Sequence, residues 1–110
     1  MPEGGENAAR AFYSNLLGLD EIPKPKALRG RGGVWFSLGK TQVHLGVERP
    51  FLPASKAHPA FEVRDLSEIL ETLSDAGVMV RPDTNLPGYR RAYLSDPFGN
   101  RIELLAPVGG

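Results

Sequence analysis

The sequence contains no cysteine. This excludes disulfides, thiolate metal sites and a cysteine nucleophile. It has no surplus of either charge, because 13 Lys and Arg face 13 Asp and Glu. A formal net charge of zero argues against a nucleic-acid or anionic-membrane partner held by a global basic field. No apolar run approaches the roughly 20 residues of a membrane span, and no signal-peptide hydrophobic segment follows Met1. The expectation is a soluble cytoplasmic protein. Histidine is scarce, at 2 residues, and tryptophan scarcer, at 1. What remains is ample for a core: 41% of the 110 residues are hydrophobic and 24% charged. That length suits one domain. The 13 Gly and 10 Pro predict short elements separated by many turns.

Periodicity places those elements. Ala9, Phe12, Tyr13, Leu16 and Leu17 recur at helical spacing and Gly18 follows, so a helix is expected over about residues 6–17. A short strand at 19–22 is stopped by Pro23 and Pro25, and 26–33 reads as a flexible loop. Val34, Phe36 and Leu38 alternate with Trp35 and Ser37, a strand. After a turn at Gly39-Lys40, a second strand runs over 41–47. Residues 48–57 form the best internal boundary. His58 to Arg64 reads as a strand. Asp65, with Glu68 three residues on, is a helix N-cap signature. Leu66, Ile69, Leu70, Leu73 and Ala76 make the helix's apolar stripe, and Gly77 ends it. Strands are then expected at 78–80, 89–94 and 101–106, with a loop over 82–88 and a turn at Asp96-Pro97-Phe98-Gly99-Asn100.

The two halves share one plan: a helix ending at Gly, a short strand, a loop and a hairpin. Residues 1–50 form the first module and 56–107 the second, within a single α+β domain. The second module has a strand ahead of its helix and the first has none. The preferred reading is that the sequence begins inside a longer natural one. The open sheet edge invites association.

Successive strand side chains point to opposite faces. Val34, Phe36, Leu38, Val43, Leu45, Phe61, Val63, Ala92, Leu94, Ile102 and Leu104 form an apolar face expected to pack on the helices. The other face collects Trp35, Ser37, Gln42, His44, His58, Ala60, Glu62, Arg91, Tyr93, Arg101 and Glu103. A solvated sheet face is the plain alternative. Against it, both histidines fall there, and Trp35 and Tyr93 sit beside them as expected of pocket walls. His44, His58 and Glu103 come from three strands, and imidazole with carboxylate suits Zn, Fe, Mn or Ni.

Three segments carry a family likeness. Ala8-Ala9-Arg10-Ala11-Phe12-Tyr13 followed by Leu16-Leu17-Gly18-Leu19 resembles the first helix of the vicinal oxygen chelate superfamily, the glyoxalase I, bleomycin-resistance and extradiol-dioxygenase group. Asp96 to Leu104 resembles its final hairpin, and His58-Pro59-Ala60-Phe61-Glu62-Val63 the strand opening its second module. The resemblance implies paired β-α-β-β-β modules forming a cupped mixed sheet around a divalent metal, with helices outside. It implies His44, His58 and Glu103 as ligands and often a homodimer. The family's first strand, which often bears a further histidine ligand, is absent from this sequence.

The expected function is therefore a metal-dependent enzyme, a lyase or dioxygenase, acting on a small oxygenated molecule. The metal is Zn, Ni, Mn or Fe. Glu103 and Glu62 are the catalytic candidates, Glu62 as a base. Arg91 and Arg101 would meet a substrate carboxylate or phosphate, and Trp35 and Tyr93 would line the pocket. The alternative is a metal-free protein that sequesters a drug or metabolite. An epoxide-opening transferase similar to fosfomycin-resistance proteins ranks last, because the basic residues are scattered along the sequence.

Overall fold

The computed structural model describes residues 1–108. The chain divides into two compact units, Met1–Pro53 and Ala54–Gly110. Among the described residues, no helix is long and apolar enough to cross a membrane.

In the first unit, helix α1 begins at Glu6–Ala9 and continues as a wider π-helical segment, Arg10–Leu16. The Leu17 N–H reaches back five residues to the Phe12 carbonyl at 3.0 Å, where an α-helix reaches four. The expected helix over 6–17 is thus present with a loosened second half. Its buried side chains include Ala9, Phe12, Tyr13 and Leu17. Phe12 meets Tyr13 edge-on at 5.2 Å, and Tyr13 stacks on Phe36 at 5.5 Å. Aromatic pairs of this kind contribute about 0.5–1.5 kcal/mol beyond burial.

Strands β1 (Asp20–Ile22), β2 (Val34–Leu38) and β3 (Thr41–Leu45) form an antiparallel sheet in that order. The expected loop at 26–33 contains a short 3-10 helix, Lys26–Arg31. β2 buries Val34 and Phe36 as its alternation predicts, whereas Leu38, Val43 and Leu45 are only half-buried. β3 is an edge strand of this sheet, which explains its shallower burial. Just beyond β3 the chain meets its own start. The Met1 nitrogen donates to the Gly46 carbonyl at 2.7 Å, and the Glu48 N–H donates to the Met1 carbonyl at 3.0 Å. One residue bonded to two positions flanking its neighbour is the pattern of a parallel ladder.

In the second unit, β4 (Ala60–Glu62), β5 (Arg81–Asp83), β6 (Tyr89–Ser95) and β7 (Arg101–Pro107) form a sheet ordered β4-β7-β6-β5. β4 lies parallel to β7 and the other pairs are antiparallel. Helix α2 spans Leu66–Asp75, and the Asp65 side chain accepts from the Glu68 N–H at 3.0 Å as the capping signature predicts. At its far end the Val78 N–H bonds the Leu73 carbonyl and the Gly77 N–H bonds that of Ser74. This Schellman closure needs the left-handed conformation that Gly77 adopts at φ +81°. Leu66 and Leu73 are buried, Ile69 and Leu70 half-buried, and Ala76 is exposed at the cap. Phe61, Ala92, Leu94, Ile102 and Leu104 complete the buried apolar face.

Two expectations about strands need correction. Residues 78–80 are not a strand: Val78 closes the helix, and Met79 is 81% exposed. The strand lies instead at Arg81–Asp83, running into the region 82–88 read as a loop. Pro82 is tolerated there because β5 is the sheet's edge and a missing N–H leaves no ladder bond unmade. The strand read as 58–64 is regular only over Ala60–Glu62, though its ladder continues through the Val63 N–H to the Leu105 carbonyl.

Two tests follow from the first unit. Gly33 has φ +88°, and a Cβ there would be driven into the Leu45 carbonyl oxygen, whereas one at Gly39 meets nothing nearby. Gly33→Ala should lower stability by about 2 kcal/mol or more, and Gly39→Ala by about 1 kcal/mol, in urea denaturation. Separately, the Gly33 N–H donates to Glu6 Oε2 at 3.1 Å. This bond, chiefly, holds the Glu6 carboxyl below its ordinary value. A lowered carboxylate pKa stabilises the fold at neutral pH, and the contribution is lost as pH falls through the folded value. A carboxyl-carbon NMR titration should therefore find Glu6 protonating at lower pH than an unbonded glutamate.

Candidate functional site

The second unit's polar face is assembled by strand register. Ala60 pairs with Glu103, Glu103 with Tyr93, and Tyr93 with Arg81. The next row is Glu62, Leu105, Arg91 and Asp83, and on the other side of the Tyr93 row lies the pair Ser95 and Arg101. The register itself rests on the turn at Asp96. Its Oδ1 accepts from the Phe98 and Asn100 N–H groups at 2.9 and 2.8 Å, and its Oδ2 from Asn100 Nδ2 at 2.8 Å.

Glu103 is the centre of this face. It is only 5% exposed although it stands on the face expected to be polar. A buried carboxylate needs partners, and it has two. His58 Nε2 lies 3.0 Å from Oε1, and Arg91 Nη1 lies 3.5 Å from Oε2. Arg91 also reaches Asp83 Oδ2 at 3.1 Å, its closer contact. The His58 ring stands edge-on to Tyr93 at 5.5 Å. The Arg101 guanidinium lies 4.3 Å from the Tyr93 ring centre and that of Arg91 lies 5.1 Å from it, both within cation–π range.

The surroundings of His58 bear on metal chemistry. Its Nδ1 lies 2.8 Å from the Lys56 carbonyl and its Nε2 faces the Glu103 carboxylate. Both neighbours are acceptors. With Nδ1–H given to Lys56, a neutral ring turns its Nε2 lone pair toward a carboxylate oxygen. Two acceptors so close are reconciled by a proton or a cation between them. Metal-ligating histidines are likewise commonly held through Nδ1–H on a backbone carbonyl, which leaves Nε2 for the metal. The 3.0 Å separation matches two donors set at right angles around one ion at about 2.1 Å each. The pair therefore fits as two ligands of a divalent metal. Among the described residues, no group of three or more His, Cys, Asp or Glu side chains converges as a metal site.

The remaining candidates are distributed as follows. Glu62 shares the face with Glu103 but is exposed, one row away. His44 and Trp35 belong to the first unit. They are cross-strand partners whose rings stack at 3.5 Å and 4°, and His44 Nε2 lies 2.8 Å from Gln42 Oε1. Sequence reading missed Asp83 and Arg81, because Pro82 between them was taken as the start of a loop. The alternation Arg81-Pro82-Asp83 is a period-two pattern that an edge strand permits. Leu105, placed by register on the polar face, was also missed.

The chain has counterparts among known proteins. The family model of the Glyoxalase/Bleomycin resistance protein/Dioxygenase superfamily matches residues 7–104, and the chain belongs to that superfamily. More particularly, it is 48% identical to a putative glyoxalase family protein from Bacillus anthracis, with a TM-score of 0.94 over 97% of this chain and 88% of that one. It is 25% identical to TnmS3, an antibiotic binding protein from Streptomyces sp. CB03234, with a TM-score of 0.76 over 97% of this chain and 90% of that one. A genomically encoded fosfomycin resistance protein, FosX, from Listeria monocytogenes shares the fold at 20% identity, with a TM-score of 0.73 over 94% of this chain and 84% of that one. No curated protein matches.

Arg91 ties two carboxylates on two strands, with side chains 17%, 21% and 7% exposed for Arg91, Asp83 and Glu103. Removing one partner of such a network leaves buried charge uncompensated. Arg91→Met should therefore destabilise the protein by about 3 kcal/mol in chemical denaturation. The double variant Arg91→Met/Asp83→Leu should recover part of that loss.

Proposed function

We propose that the protein is a divalent-metal-dependent enzyme acting on a small oxygenated molecule. His58 and Glu103 are the metal ligands. The observation that carries this reading is the opposition of His58 Nε2 and Glu103 Oε1 at 3.0 Å, with the ring's other nitrogen on the Lys56 carbonyl. A divalent ion bound there would act as a Lewis acid toward substrate oxygens. The chain's own residues do the rest. Tyr93 offers an aromatic wall beside the pair. Arg91 holds the Glu103 carboxylate in one orientation, and the Asp96 turn keeps the register that aligns them. Glu62 is the candidate base.

A second reading is favoured by the other oxygen of Glu103. Arg91 already supplies that carboxylate with a cation. This is how a metal-free member of the superfamily would stabilise the same buried charge. Such a protein would hold a drug or metabolite against Tyr93 without chemistry, as TnmS3 is described as an antibiotic binding protein.

Metal content separates the two. Untagged protein would be incubated in turn with Zn, Ni, Mn and Fe(II), dialysed, and assayed by mass spectrometry. One ion per chain is expected, with affinity reduced at least tenfold in His58→Ala and Glu103→Gln. Failure of the wild-type chain to retain any of the four ions would overturn the metal reading and leave the binding protein.

A further inference from the structure

On the second unit's polar face, the Arg91 guanidinium is already paired, serving both Asp83 and Glu103. Arg101 is different. Its guanidinium lies over the Tyr93 ring, 4.3 Å from the ring centre, and its Nε, like that of Arg91, is buried without a hydrogen-bond partner. Unlike Arg91, it has no carboxylate partner among the described residues. A guanidinium cannot relieve this by losing its proton. Packing on the ring also restrains a side chain that would otherwise be flexible. What remains to it are terminal N–H donors in a planar fork, the geometry that matches an oxyanion.

Register fixes where that oxyanion would lie. Arg101 pairs with Ser95, in the row next to Tyr93 and Glu103. It stands two residues before Glu103 on the same strand and face, which is about 7 Å along β7. A small molecule anchored at Arg101 would therefore run over Tyr93 toward the His58–Glu103 pair.

We propose that Arg101, packed over Tyr93, is the anchoring position for an oxyanion, so that the ligand of this face carries a carboxylate, phosphonate or phosphate end group. The proposal deepens the small-molecule reading of the face and is independent of whether a metal sits at His58 and Glu103. It also revises the ranking made from sequence, where the arginines appeared scattered. Arg91 and Arg101 flank a single aromatic ring.

The test uses the full chain, labelled with nitrogen-15 and stripped of metal with EDTA. Acetate, methylphosphonate and inorganic phosphate are titrated separately, with acetamide as the neutral control. The readout is the arginine Nε–Hε resonances, with that of Arg101 assigned by its absence in Arg101→Gln. A saturable shift of the Arg101 resonance in the low millimolar range is expected with at least one anion and not with acetamide. The strongest of the three distinguishes a carboxylate from a phosphonate or phosphate ligand. In Arg101→Gln, the backbone-amide response to that anion should weaken at least tenfold. Arg101→Lys, which keeps the charge and loses the planar fork, should fall between. Backbone spectra establish that each variant is folded. No saturable shift up to tens of millimolar, or an undiminished response in a folded Arg101→Gln, would overturn the proposal. Because the titration is made without metal, its failure is separable from failure of the metal assay.

Discussion

A carboxylate held at the middle of a sheet, almost out of reach of water, is the constraint around which the second unit is arranged. Burying Glu103 is unfavourable unless cations or donors meet it, and each partner comes from a different strand connection. His58 precedes β4, which returns parallel to β7. Arg91 stands on β6, antiparallel to β7. Asp83, which orients Arg91, stands on β5 at the sheet's edge. Displacing any of these strands by one residue would turn its partner to the opposite face. The cluster thus depends on all three pairings at once, and the Asp96 turn secures the β6–β7 pairing by gathering its backbone donors onto one side chain.

The same arrangement gives the face its chemistry. Tyr93 supplies a flat apolar surface between two guanidiniums, one committed to carboxylates and one not. His58 is aimed by a backbone carbonyl rather than by a mobile side chain, so its Nε2 has a defined direction toward Glu103. Directed donors around an aromatic floor are what a small-molecule site requires. They are compatible with a metal-dependent enzyme and with a binder, and the superfamily to which the chain belongs is named for both kinds of protein.

Much of this could be read from residue order. Alternation in residues 34–38, 89–94 and 101–106 placed the long strands to within a residue of their observed ends, and glycine and aspartate punctuation marked the helices. His58, Tyr93, Arg101 and Glu103 were assigned to one face because a strand's period of two leaves little freedom once its ends are known. What could not be read depended on pairing. Nothing local distinguishes Val78-Met79-Val80 from a strand; its first residue is instead taken up by the helix cap. Nothing local marks Arg81-Pro82-Asp83 as a strand until β6 is beside it. The burial of Glu103 was likewise illegible, because a glutamate on a polar face is ordinarily solvated and only the neighbouring strands remove its water. The π-helical half of α1 carries no signal that spacing alone reveals, since its apolar positions suit either winding.

The two hydrogen bonds that tie Met1 to Gly46 and Glu48 have a practical corollary for anyone handling the protein. An amide N–H can make the bond that the terminal amine makes to Gly46. Residues attached ahead of Met1 would therefore be led alongside Leu45 and Val43 as an additional strand. A purification tag or reporter joined at that end would not hang free; it would be templated onto the rim of the first sheet and could mask or crowd it. The choice of fusion terminus is thus a structural variable in experiments with this chain.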